Sequence, residues 1–220
     1  MKQNHKRGVA IVEFSFAMIV LTPLLIGTMA VGLNLIRSLA TVQLARDAGH
    51  MYARGADFSQ TGNQTVLTTI GSNVGLSKTA GSGSAVVILS TVTYVDKALC
   101  ASAGKVDANG NPSGCTNYTK WVFTQRIKIG NSSIRSSVFG SPGGSVVVNS
   151  TTGRISLNDQ VTNTGDVANF SVGINPYANT NGTVSGLPSG QIIYIAEVAS
   201  SGMALPPFVP AGVVQSYTMF

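Results

Sequence analysis

Within the run KRGVAIVEF, Lys6 to Phe14, a carboxylate stands five residues after a glycine, surrounded by valine, alanine, isoleucine and phenylalanine. Glu13 is the only formal charge between Arg7 and Arg37. Ionisable side chains in runs of this kind are rare and usually have a task. Two tasks fit a lone acid near the end of an apolar helix. It can pair with a cation and so fix the register of packed helices, or it can extend to the membrane surface with no further role.

The other residue types that could do chemistry are few. The chain has two cysteines, Cys100 and Cys115. No second pair accompanies them, and the two histidines, His5 and His50, lie far away in sequence, so no zinc site is spelled out. A disulfide in an oxidising compartment is the expectation, with two free thiols as the alternative. Asp107, Asn109 and Asn111 alternate like the start of a calcium loop, but Gly110 is misplaced for one and no acid closes it, so a turn is expected. Serines abound, yet the tract Gly81–Gly83 is not a nucleophile turn, and His50 has no acid at a telling spacing. No phosphate loop, dinucleotide fingerprint or zinc motif is present, and neither an enzyme nor a cofactor or metal site is expected. An anchored hydrolase is the weakest of the alternatives.

The elements that must position Glu13 follow from hydropathy. From Phe14 to Leu33 no formal charge interrupts the sequence, and as a helix this stretch is about 30 Å long, enough to cross the hydrocarbon core of a bilayer. Pro23 is expected to kink this helix without ending it. Lys2, Lys6 and Arg7 precede the span, whereas Arg37 follows it alone and Arg46 is offset by Asp47. The N-terminus is therefore expected on the cytoplasmic side and the rest outside, in a single-pass protein in contact with membrane lipid. A secretory signal cleaved after Ala30 is the alternative, although its apolar region would be unusually long and would begin with a glutamate.

The net charge of +6 does not indicate a nucleic-acid partner. Without Lys2, Lys6 and Arg7, 11 basic residues face 8 acids. The remaining basic residues are scattered, with Arg126 and Lys128 expected on the polar face of one strand and no stacking aromatics between them.

Past the span, Leu35, Leu39, Val42, Arg46, Gly49 and Ala53 recur at helical steps, widened by Ile36 and Ala45, and Gly55 is placed to cap the end. One helix of about 45 residues is expected to run from the membrane into an exposed domain.

The segments KRG and VAIVEF resemble the processing site of type IV-like prepilins. The likeness extends through AIVEFSFAMIVLTPLLIGTMAVG and QLARDAGHMYARG, and more loosely through GQIIYIAEVASSG, to TadE-like minor pilins or pseudopilins of the tight adherence system. Residues 75–190 are richer in glycine, serine and asparagine than that family leads one to expect. The resemblance implies a leader, residues 1–8, cut after Gly8 by a prepilin peptidase, so that Val9 becomes the N-terminus and Glu13 the fifth residue. It implies an inner-membrane subunit, with other pilins and the inner-membrane assembly platform as partners, acting in pilus priming, adhesion or secretion. A new amine at Val9 lies one helical turn from Glu13, where i,i+4 partners meet, and the amine of a neighbouring subunit is the intermolecular alternative. A membrane-anchored adhesin or envelope binding protein with no pilus role is the competing function.

The expected organisation is thus α+β. A transmembrane helix over 9–34 leads to a helix extension and short second helix over 35–75, the latter from Asn63 to Val74, and then to an antiparallel β-rich domain over 76–220. Within that domain, Ser84–Asp96 and Asn117–Gly130 read as strands, with the cysteines stapling the connection whose tip is Lys105–Gly114. In the second strand Trp121, Phe123, Ile127 and Ile129 are expected on one face, with Thr124, Arg126 and Lys128 on the other. Gly140–Asp159 suggests a loop and hairpin, Gln191–Val198 a strand with Glu197 at a solvated or arginine-paired edge, Ala204–Gly212 a rigid connector, and Val213–Phe220 a last strand.

Overall fold

The computed structural model describes residues 4–170, 190–202, 204, 206 and 212–220, with side chains from residue 11 onward. Most of the connector expected over Ala204–Gly212 lies outside these residues. The fold is α+β: one long N-terminal helix, α1 (Asn4–Ala53), and a four-stranded antiparallel sheet. The strands are β1 (Ala85–Tyr94), β2 (Trp121–Gly130), β3 (Ile192–Ser201) and β4 (Val213–Met219), in the order β2-β1-β3-β4.

Helix α1 continues through Pro23 and stops where the sequence turns to Gly55. Gly55 takes φ +88°, its N–H donates to the Tyr52 carbonyl, and the Ala56 N–H donates to Met51. These are the paired bonds of a Schellman cap, which a left-handed glycine makes at little steric cost. The second helix, α2 (Thr61–Ile70), continues as a 3-10 turn to Val74, so it begins two residues before the expected start and ends at the expected residue.

The C-terminal half of α1 lies on one face of the sheet. Leu44, Ala45, Ala48 and Tyr52 pack there with Phe58, Leu67 and Val74 on Val87, Leu89, Ile127, Ile129, Ala196 and Val198. Of the stripe expected from the sequence, Ala45 and Gly49 lie in this dock whereas Leu35, Ile36 and Leu39 are exposed; the docking face passes through Thr41, Leu44, Ala45, Ala48, Gly49 and Tyr52. Both stripes have helical spacing; small side chains at 45, 48 and 49 admit the closer approach to the sheet.

The opposite face carries a second core of Val92, Trp121, Phe123, Phe139, Ile155, Ile193 and Ile195. Here the structure overturns the expected facing of β2. Gln125 pairs with Thr91 and Phe123 with Val92, so Thr124 is an extra residue and the strand is bulged. A one-residue bulge inverts the alternation on either side of it. Trp121 and Phe123 therefore face away from the helix, whereas Ile127 and Ile129 face it.

Between β1 and β2, a short helix α3 (Lys97–Ser102) precedes the expected turn-rich tip, and a further helix α4 (Leu157–Thr162) follows the loop region after β2. Both are absent from the sequence reading. The outer edge of β2 is covered: Arg126 donates its N–H to the Gly153 carbonyl, and the Ile155 and Ala168 N–H groups donate to Thr124 and Trp121. On the other side of the sheet β4 is the last strand, and among the described residues no bridge pairs with its outer side.

Candidate functional site

The first functional element is the free part of α1. Every residue from Ile11 to Val20 is exposed, including Glu13, and large apolar side chains remain exposed through Leu39. The helix is long and apolar enough to cross a membrane. Gly8 and Val9 lie in its first turns by backbone, and their side chains are outside the described residues. Pro23 sits beside a shallow apolar hollow lined by Met18, Ile19, Thr22 and Ile26.

Contact with the exposed domain starts where this free stretch ends. Ala30 is buried, and the Arg37 guanidinium donates to the Ser201 carbonyl at 2.9 Å. Thr41 shares a hydrogen bond of 2.8 Å with Ser200. The sheet therefore sits directly on the helix, with hydrogen bonds that begin a few residues past the apolar stretch. The end of β4 completes the dock. Gly49 faces Thr218 and Phe220, and a Cβ there would come within 2.5 Å of the Thr218 methyl and 2.6 Å of the Phe220 ring. The His50 ring, expected as a plain polar helix-face residue, is exposed and lies 4.5 Å from that of Phe220.

Valine at position 49 would force these groups apart at a cost of about 1 to 3 kcal/mol, without the compensating helix propensity that alanine brings. Gly49→Val is thus expected to speed amide hydrogen exchange in Val213–Phe220 severalfold while leaving Val86–Leu89 protected. Unchanged exchange at the C-terminus would show that this contact does not hold β4.

A second element is a pair of buried charges on the far face of the sheet. Arg126 is 5% exposed and Glu197 2% exposed, both well inside the structure. This corrects the sequence reading of each. Glu197 belongs to β3, a central strand, and Arg126 is covered by the Asn131–Pro142 loop, while Lys128 alone stays exposed. Arg126 donates to Ser90 Oγ at 2.6 Å, to the Gly140 carbonyl and to Ser141 Oγ, and its guanidinium stacks 4.9 Å from the Phe123 ring centre. The Glu197 carboxylate accepts from Ser137 Oγ and, at 2.8 Å, from the Val138 N–H. The two charges grip the loop on either side of Phe139, which is fully buried.

Burial lowers the Arg126 pKa to about 10, with Glu197 acting against the shift. Burial raises the Glu197 pKa, partly offset by Ser137, Val138 and Arg126. Apart from Arg126 Nε, which has no acceptor among the described residues, these groups are engaged by Ser90 and the loop, and the arrangement is a clamp that holds a loop.

Cys100 and Cys115 form a disulfide with Cα atoms 5.8 Å apart, set among Val95, Val122 and Val161. A loop of this size contributes about 3 kcal/mol by restricting the unfolded chain. Asp107 closes the turn at its tip by accepting the Asn109 and Asn111 N–H groups at 3.0 and 2.7 Å, which is the turn expected from the sequence.

Fold and site together define an α+β protein whose sheet is docked on the distal half of a long N-terminal helix that is apolar enough to cross a membrane. No family model, curated protein or solved structure matches the chain.

Proposed function

We propose that the chain is a TadE-like minor pilin, a structural and assembly subunit of a tight-adherence-type pilus that is not an enzyme. The observation that carries this reading is the position of Glu13: a lone acid on the free apolar part of α1, five residues past Gly8, on a helix whose other half is the platform of the exposed domain. In the membrane Glu13 stays near the cytoplasmic interface, close to the positive end of the helix dipole. In an assembly the anchor helices pack side by side, and Glu13 takes the amine of Val9, its own or a neighbour's. A slip along the bundle would leave that charge unpaired, which sets the stagger between subunits.

The N-terminus is cytoplasmic and the sheet domain lies outside the inner membrane, where its disulfide forms. The partners are a prepilin peptidase, other pilins, the assembly platform and lipid, with no role for nucleic acid. The direct dock of sheet on helix suits this role, because movement of the anchor along its axis is passed to the domain without a slack linker.

The reading is tested at the scissile glycine. In a host with its own processing peptidase, Gly8→Leu is expected to leave the full-length precursor in the membrane, while the unaltered chain is shortened. Equal shortening of both would exclude cleavage that depends on Gly8.

A further inference from the structure

Asp166 and Asn117 are both fully buried, each at 0% exposure. Neither oxygen of the Asp166 carboxylate has a hydrogen-bond donor among the described residues, and the same holds for Asn117 Oδ1. Unpartnered buried oxygens are costly, and a carboxylate is the costliest. The Asn117 amide cannot be reversed to relieve this. Its Nδ2 donates to the carbonyls of Gln160 at 2.9 Å and Asn163 at 2.7 Å, and a flipped amide would set oxygen against both. The Asp166 N–H also donates to the Asn163 carbonyl, at 3.0 Å, so the Asn117 amide nitrogen and the Asp166 main chain meet at one oxygen.

The charge around them is negative. Asp159 acts electrostatically on Asp166. Among the described residues no trio of histidine, cysteine, aspartate and glutamate gathers, and the two cysteines are already bonded to each other. The oxygens left without partners are therefore those of one carboxylate and one amide, the kind a hard cation takes. A proton on Asp166 would supply one hydrogen bond and leave other acceptors unmatched, whereas a divalent ion meets several oxygens at once and balances two carboxylates.

We propose that Asp166 and Asn117 form the core of a calcium-type cation site, completed by main-chain oxygens and electrostatically by Asp159. It joins the disulfide-bearing crossover, through Asn117, to the segment after α4 that covers the edge of β2. Calcium fits better than magnesium, which demands a strict octahedron and keeps its waters. The site is separate from the Asp107 turn, whose carboxylate is committed to main-chain N–H groups.

The test uses the full chain in detergent, stripped with EDTA at pH 7.5. Equilibrium dialysis with radioactive calcium is expected to give one ion per chain. Calcium at a hundredfold excess over its Kd should raise Tm by about 5 to 10 °C. Asp166→Asn should abolish both effects, and in EDTA it should melt no lower than the unaltered chain, since the buried charge is gone. Asp107→Asn should bind calcium normally. The proposal is overturned if the unaltered chain binds no calcium and shows no shift, a result that leaves a proton on Asp166 as the explanation. It is equally overturned if Asp166→Asn keeps the ion and the shift. Should that variant not fold, stoichiometry and Tm of the unaltered and Asp107→Asn chains decide the matter alone.

Discussion

Arg126→Met is expected to destabilise the exposed domain by about 3 kcal/mol or more, lowering Tm by roughly 10 °C in a thermal melt. The substitution keeps an unbranched apolar side chain but removes the guanidinium that stacks on Phe123 and donates to Ser90, Gly140 and Ser141. It also strips Glu197 of its compensating charge, and the carboxylate remains 2% exposed. The double variant Arg126→Met/Glu197→Gln removes both charges, and the amide oxygen can still accept from Ser137 and Val138. It should therefore recover part of the loss, and additivity of the two single effects would show that the charges are not coupled.

The pH dependence of Glu197 has a definite sign. Its pKa is raised in the folded state, so its contribution to stability is full below the ordinary glutamate pKa and is lost as pH rises through the folded value. In the Glu197→Gln variant this downward slope above the ordinary range should disappear.

Glu13→Gln is expected to leave processing and membrane insertion intact while reducing association with partner pilins. Shape is preserved and only the charge is lost, so the Val9 amine, in the same subunit or its neighbour, is left unpaired. Removing one member of a low-dielectric ion pair costs about 3 to 5 kcal/mol. With part of that relieved by solvation at the interface, a pairwise contact still weakens about tenfold or more, at roughly 1.4 kcal/mol per decade. Co-purification with pilus partners at equal membrane abundance measures it. Unchanged association would mean that Glu13 only extends to the membrane surface and sets no register.

The long elements were legible because each rests on a local signal. The apolar run with its basic flank, the glycine at 55 and the short apolar, β-branched runs of β1, β3 and β4 all act over a few residues, and the helix, its cap and the strands follow. The misreadings have one common cause: they depend on tertiary context. The Thr124 bulge is invisible in a strand that alternates on both sides of it, so Trp121 and Phe123 were assigned to the wrong core. Arg126 and Glu197 look like surface residues until the loop after β2, distant in sequence from Glu197, covers them. The dock of α1 keeps Ala45 and Gly49 of the expected stripe but adds Leu44, Ala48 and Tyr52, because small residues admit closer approach than the larger Leu35 and Leu39.

The missed short helices did carry signals. Ser156 caps α4 by accepting the Asp159 N–H, and Asp96 caps α3 by accepting that of Leu99. A serine followed three residues later by an acid marks such a start, but six-residue helices have too little periodicity to confirm it. The buried Asp166 has no sequence signal, because an aspartate in a Thr-Gly-Asp turn reads as a solvated loop residue.

The most direct measurement on the central claim is the mass of the mature N-terminal peptide, from protein purified out of a host that has its own processing peptidase. A peptide beginning at Val9 is the predicted result, because only cleavage after Gly8 creates the amine that Glu13 is placed to meet. A chain beginning at Val31 would mean secretory cleavage after Ala30, and one retaining Met1 to Arg7 a plain membrane anchor; either would contradict the assignment as a minor pilin.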